Sequence, residues 1–238
     1  DANTINQSNG TTLSNWIDLS GYNNDATSPG GTEPVFNTNQ INVFPAVQFV
    51  NANADYLQVN DDPSLDVQRI SLFTVGNLEA SSTAYASFIS KIQAGVAGFN
   101  GYALLRNNNL QSISFAIDAL GNEAQSGIAY GANAIHSGIY DDPGLEHYVD
   151  EGGPSTDSYS GPITSHSTPL YIGGTVNSAG SAPDRFLEGD IAETIILSSV
   201  LNDAQRIIVD NYLSSKYDID ISASGNDVYT MDTPANGD

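Results

Sequence analysis

The sequence predicts an all-β sandwich carrying one short C-terminal helix, and three observations lead there. Short runs rich in Val, Ile, Phe and Tyr recur between clusters of Gly, Asn, Ser and Asp, as strands recur between turns. Some of these runs alternate with period two: Ile113, Phe115 and Ile117 are set against Ser112, Ser114 and Ala116, the pattern of a strand with one buried face. Helical periodicity shows in one late stretch. At 238 residues the chain can bury a self-sufficient core and lies within the range of single sandwiches.

The expected strands are 15–19, 46–50, 56–59, 70–78, 87–92, 101–106, 111–117, 134–140, 146–149, 169–172 and 186–197. Ser20-Gly21-Tyr22-Asn23-Asn24, Asn107-Asn108-Asn109 and Asp141-Asp142-Pro143-Gly144 supply turn chemistry between them. Asn202 caps the helix, and Gln205 stands where a capping box needs it. Val209, Leu213 and Tyr217 form one apolar stripe with Ile208 and Tyr212 alongside, so the helix is expected to pack on the sandwich. Periodicity then lapses. The domain is expected to span 1–219, with 220–238 a linker or the start of a following module.

Composition excludes several classes. Asp plus Glu number 28 against six Lys plus Arg, a net charge of −22. A protein that tracks nucleic-acid phosphates needs a basic stripe, which is absent, and docking on anionic membrane is disfavoured. There are no cysteines, hence no disulfide, thiolate metal site or thiol nucleophile. No apolar run approaches the roughly 20 residues of a membrane helix. No signal peptide is visible and the first residue is Asp, so the chain is expected to be a mature protein or a piece of a longer one.

The order of several motifs carries a resemblance. Trp16-x-Asp18-x-Ser20-Gly21-x-Asn23-Asn24-Asp25-Ala26 opens the chain, and Pro45-Ala46-Val47-Gln48-Phe49 and Asp55-Tyr56-Leu57 follow. Later come Gly138-Ile139-Tyr140-Asp141, Leu170-Tyr171-Ile172-Gly173-Gly174 and Phe186-Leu187-Glu188-Gly189-Asp190-Ile191-Ala192-Glu193. Val200-Leu201-Asn202-Asp203-Ala204-Gln205-Arg206 and Tyr212-Leu213-x-x-Lys216-Tyr217 close the series. Over residues 13 to 219 this resembles the laminin-G-like, concanavalin A-like lectin/glucanase domains of secreted Bacteroidota proteins. The resemblance implies a jelly-roll of two antiparallel sheets in an extracellular or cell-surface protein with neighbouring domains. It also implies binding to a glycan, a polysaccharide or a surface protein, or a spacer role in an adhesin.

Three chemistries are then open. Glu188-x-Asp190-x-x-Glu193 matches the E-x-D-x-x-E of retaining glucanases that share the fold, whose carboxyls must stand about 5–5.5 Å apart. A regular strand puts Glu193 on the face opposite Glu188, and only a bulge brings it round. The one Trp is also far from this strand, so the chain is expected to be non-catalytic. Calcium takes oxygen ligands, and Asp18, Asn23, Asn24 and Asp25 supply them in one short loop; Asp190 or Glu193 is the late-strand ligand that the resemblance implies. A sugar surface needs aromatic platforms and planar polar groups. The platform candidates are Tyr102, Tyr130, Tyr140, Tyr148 and Tyr159, and the polar candidates are Asn100, Arg106, Asn107, Asn108, Asp184 and Arg185. With so few basic residues, each is expected to be paired with an acid. His136, His147 and His166 have no zinc spacing; His136 is expected to be structural and His166 a loop residue.

Overall fold

The computed structural model describes residues 1–93, 99–108, 110–119, 121–176 and 182–228. Two eight-stranded sheets pack face to face in a jelly-roll sandwich. The first runs, in spatial order, Thr11–Thr12, Val35–Ile41, Phe44–Phe49, Gly189–Leu197, Ile70–Leu78, Ala134–Asp141, Gly144–Val149 and Ser155–Ser158. The second runs Glu123–Gly127, Ser112–Ile117, Asn100–Arg106, Ser87–Gln93, Leu170–Ile172, Leu57–Val59, Ala26–Thr27 and Asn15–Trp16. The strand pairs in both sheets are antiparallel. A separate hairpin, Gly174–Val176 with Pro183–Phe186, belongs to neither sheet.

Three apolar layers follow from the period-two patterns. Phe49, Leu72, Phe88, Tyr102, Leu104, Phe115 and Tyr140 fill the space between the sheets. Phe73, Val75, Ile135 and Tyr148 point out from the first sheet and are covered by Leu213 and Tyr217 of the helix Asp203–Tyr217. Ala103, Leu105, Ala116 and Tyr171 face outward from the second sheet, with Tyr56 and Tyr85 packed against them.

The helix has the expected cap: Asn202 Oδ1 accepts from Gln205 N at 3.0 Å, and Gln205 Oε1 accepts from Asn202 N at 3.1 Å. Its buried face differs from the expected stripe. Leu213 and Tyr217 are buried, but Ile208 and Tyr212 are 53% and 46% exposed. Arg206, Asp210, Asn211 and Ser214 occupy the inner face instead. Polar residues are admitted there because each finds a partner. Arg206 Nη1 donates to Asp210 at 3.0 Å and to Glu151, and Ser137 Oγ donates to Asp210 at 2.5 Å. Beyond the helix, Ile219 and Ile221 are buried, and Val228 N donates to Asn211 Oδ1 at 2.7 Å. The expected linker is therefore packed on the domain at least to Val228. None of the helices among the described residues is long and apolar enough to cross a membrane.

Candidate functional site

Most of the tyrosine platforms expected from sequence are core residues. Tyr102 is 1% exposed and donates from its hydroxyl to Leu65 O at 3.2 Å. Tyr140 is fully buried, donating to Tyr159 O at 3.1 Å and to Gly161 O. Tyr148 is 5% exposed, donates to Glu146 Oε2 at 2.8 Å, and has the Arg206 guanidinium 3.7 Å above its ring. Each ring fills a layer and turns its hydroxyl to a local acceptor, so no sugar can stack on it. Arg106 is 4% exposed and sits on the same inward face as Tyr102. It donates to Ala80 O, Ser82 O, Leu110 O and the Tyr130 hydroxyl, which makes it a brace for the 80–82 turn.

The remaining polar candidates border the outward face of the second sheet. Asn107, at the end of Asn100–Arg106, turns its amide over that face. Its Nδ2 donates to Glu123 Oε1 at 2.7 Å, to Gln125 Oε1 at 3.3 Å and to Ser114 Oγ at 3.3 Å. Gln125 Nε2 donates to Ser112 Oγ at 2.5 Å. The strand register makes this cluster: Ser112 and Ser114 alternate with the inward Ile113 and Phe115 and face Gly127 and Gln125 of the neighbouring strand. Glu123 Oε2 is buried without a hydrogen-bond partner. A buried carboxylate oxygen without a donor is costly, so Glu123 holds a strained place in the cluster.

Beside the cluster, Tyr85 packs on Leu105 and its layer, and Arg185 lies 4.8 Å above the Tyr85 ring. Ser87 pairs with Leu105, which puts Tyr85 at the same end of the sheet as Asn107. Asp184 and Asn108 are exposed, while Asn100 is half-buried and bonded to Gln93 Oε1 at 3.2 Å. The structure thus brings Asn107 and Arg185 to one end of one face, adds Tyr85, Glu123 and Gln125, and withdraws Tyr102, Arg106, Tyr140 and Tyr148. Glu123 and Gln125 were missed because Glu123-Ala124-Gln125-Ser126-Gly127 is too polar to read as a strand.

The acidic residues of the catalytic pattern belong to separate networks. A bulge between Ile191 and Glu193 does turn Glu193 to the helix side. There its Oε2 accepts from Lys216 Nζ at 2.7 Å and from the Tyr217 hydroxyl at 2.8 Å. Glu188 Oε2 accepts from Asn51 N at 2.9 Å. Asp190 Oδ2 accepts from Asn77 at 3.0 Å and Gln40 at 3.2 Å. Burial, against those bonds, raises its pKa.

The loop at 18–25 also uses its own donors and acceptors. Asp18 accepts from Ser20 N at 2.8 Å, Ser20 Oγ at 2.7 Å and Asn24 N at 3.0 Å, and Asp25 accepts from Asp18 N at 2.8 Å. Burial pushes the Asp18 carboxyl up, but these hydrogen bonds outweigh it and hold the group below its ordinary value. Asn23 is exposed in a left-handed turn conformation and Asn24 bonds Ser64 Oγ at 2.9 Å. Among the described residues no three acidic or histidine side chains are grouped to hold a metal ion. A cation at this turn would share carboxylates that already accept the hydrogen bonds closing it.

His136 and His147 meet inside the sandwich, ring on ring at 5.5 Å, with Nδ1 of one 3.3 Å from Nε2 of the other. Burial lowers His136 to about 4 and, with His136 as a second cause, His147 well below its usual value. Both are neutral at pH 7 when folded and protonate near pH 6.5 when unfolded. Their contribution to stability is therefore complete above about pH 6.5 and is lost as pH falls toward 4, at about 1.4 kcal/mol per pH unit for each proton. Asp150 and Asp210, raised by burial to about 6 and about 8, act in the opposite sense. The check is consequently a difference: in urea titrations, wild type should lose stability more steeply than His147→Gln between pH 6.5 and 4.

No protein-family model matches the chain, and no curated protein matches it. Solved structures do. The binding domain of Paraclostridial Mosquitocidal Protein 1 superimposes with a TM-score of 0.63 at 8% identity, over 86% of this chain and 51% of that one. Domain 4 of AbnA, a GH43 extracellular arabinanase from Geobacillus stearothermophilus in complex with arabinotriose, gives 0.52 at 13% identity over 82% and 85%. A GH54 α-L-arabinofuranosidase gives 0.62 at 10% identity over 87% and 51%. The chain spans about half the length of the first and third and most of the second. At such identities the likeness shows the β-sandwich fold.

Proposed function

We propose that this chain is a non-catalytic glycan-binding module, and that it works as one domain of a larger secreted or cell-surface protein. The observation that carries the reading is the polar cluster of Asn107, Glu123 and Gln125 beside the Tyr85–Arg185 pair. It offers two accessible amides to sugar hydroxyls and an aromatic ring to a sugar face. The named neighbours support it: one is a toxin's binding domain, another a domain of an arabinanase seen with a bound oligosaccharide. The separate networks of Glu188 and Glu193 support a non-catalytic role. A surface protein as partner is the second reading, favoured by an open strand edge described below.

A glycan array of the tagged domain, run with calcium and again with chelator, tests this reading. Binding to one sugar class in both conditions is expected, without hydrolysis of laminarin. A blank array contradicts it. Calcium at the 18–25 turn is a separate proposal, which the engaged carboxylates disfavour. The melting temperature should be unchanged by chelation; a rise of several degrees on adding calcium would assign an ion to the turn.

A further inference from the structure

The first sheet has a notch, filled in part by the short Ala2–Thr4 turn, which packs on both Phe44–Phe49 and Gly189–Leu197. The strand Gly189–Leu197 pairs with Ile70–Leu78 along its whole length up to Leu197. On its other side it pairs with Phe44–Phe49 only from Gly189 to Ile191. Pro45 lacks an amide for the ladder, and the bulge after Ile191 turns the strand away. Among the described residues, the edge at 194–197 has no strand partner on that side. An open edge presents unpaired N–H and C=O groups.

The notch opens into a cleft of about 1300 Å³ that reaches between the sheets. Trp16, Ala26, Val59, Leu170 and Ile172 line its floor, and all belong to the layer between the sheets. Across from the open edge, Ile17, Leu19 and Tyr22 are 52%, 62% and 65% exposed, an unusual density of apolar side chains on one loop. The rim is acidic: Asp18, Asp66, Asp142 and Glu193 line the cleft with Arg69, and since Asp66 is 3.3 Å from Lys91 and Glu193 2.7 Å from Lys216, Asp18 and Asp142 carry its negative charge.

We propose that this cleft accepts a β-strand from a partner polypeptide, an extended segment with apolar residues at alternate positions and Lys or Arg beside them. The open edge supplies the ladder for about four residues, roughly 13 Å of strand. Alternate side chains would enter between the sheets beside Trp16 and Ile196, and the others would meet the acidic rim. Charge selects the occupant. A second copy of this chain brings a further net charge of −22, whereas a basic segment complements the rim.

The test uses the full chain and a synthetic peptide that alternates leucine and threonine between two lysine pairs. Expected are protection from hydrogen exchange of the alternate amides within 194–197 that face away from Ile70–Leu78, a raised melting temperature, and binding at least about tenfold weaker when aspartates replace the lysines. Leu19→Ser, at an exposed position that leaves folding intact, should weaken binding, as should Ile196→Asp if that variant folds. No gain in protection at the edge-facing amides within 194–197 with saturating peptide would overturn the proposal. So would equal binding of the aspartate peptide, or self-association of the chain without peptide. The glycan face lies on the other sheet, so failure here leaves that reading standing.

Discussion

Arg206→Ala is expected to destabilise the fold by about 3–5 kcal/mol, the cost of leaving buried charge uncompensated. The reason lies under the helix. Arg206 donates to Glu151 and to Asp210, and both carboxylates are fully buried as side chains. Burial first, and then Glu151 next to it, push Asp210 well above the ordinary carboxylate range, against the pull of Arg206. The guanidinium also covers the Tyr148 ring, and Asn226 Nδ2 donates to Glu151 Oε1 at 2.9 Å. Alanine removes the cation and the ring's cover together. Arg206→Met combined with Glu151→Gln and Asp210→Asn should recover most of the loss, because the buried charge goes as a unit. Urea denaturation at pH 7 measures both.

Lys91→Met is expected to cost about 2–4 kcal/mol. Lys91 is 2% exposed on the second sheet, yet its ammonium is fully served. Nζ lies 2.6 Å from Asp61 and 3.3 Å from Asp66, and donates to His166 O at 3.0 Å and Thr168 O at 3.1 Å. Methionine fills the stem's volume but strips the donors from two carbonyls. The effect should be smaller than at Arg206, because Asp61 and Asp66 keep about a third of their surface in water and can rehydrate. Chemical denaturation of the variant beside wild type checks the ranking; a loss under about 0.5 kcal/mol would mean the ammonium anchors nothing.

These two residues also show what the sequence makes legible. Scarcity of bases implied that each is paired with an acid; Lys91, Arg206, Lys216 and Arg69 are, while Arg106 donates to backbone carbonyls and Tyr130 and Arg185 lies over Tyr85. Which acids they meet depends on long-range packing that spacing does not reveal, such as Glu151 against Arg206. Apolar-rich strands buried on both faces, as at Ile70–Leu78, were readable to the residue. Val35–Ile41 and Glu123–Gly127 were not, because edge and near-edge strands carry polar residues on both faces. The tyrosines misled for a related reason. Tyr102 and Tyr140 sit at strand positions whose face is fixed by the register of the whole sheet, and both face inward. Asn107 was legible as a turn residue, but its partners Glu123 and Gln125 lie on a strand that had no apolar signature.

The most direct test of the glycan-binding reading is the affinity of wild type and of Asn107→Ala with Gln125→Ala for the strongest glycan on the array. Both side chains are at least partly exposed, and neither serves the core. The double variant is expected to stay folded, with a modest loss of stability because Glu123 Oε1 and Ser112 Oγ lose donors, and to bind at least about tenfold more weakly, as loss of sugar hydrogen bonds at a shallow face requires. Unchanged affinity in a folded double variant would contradict the placement of the site on this face.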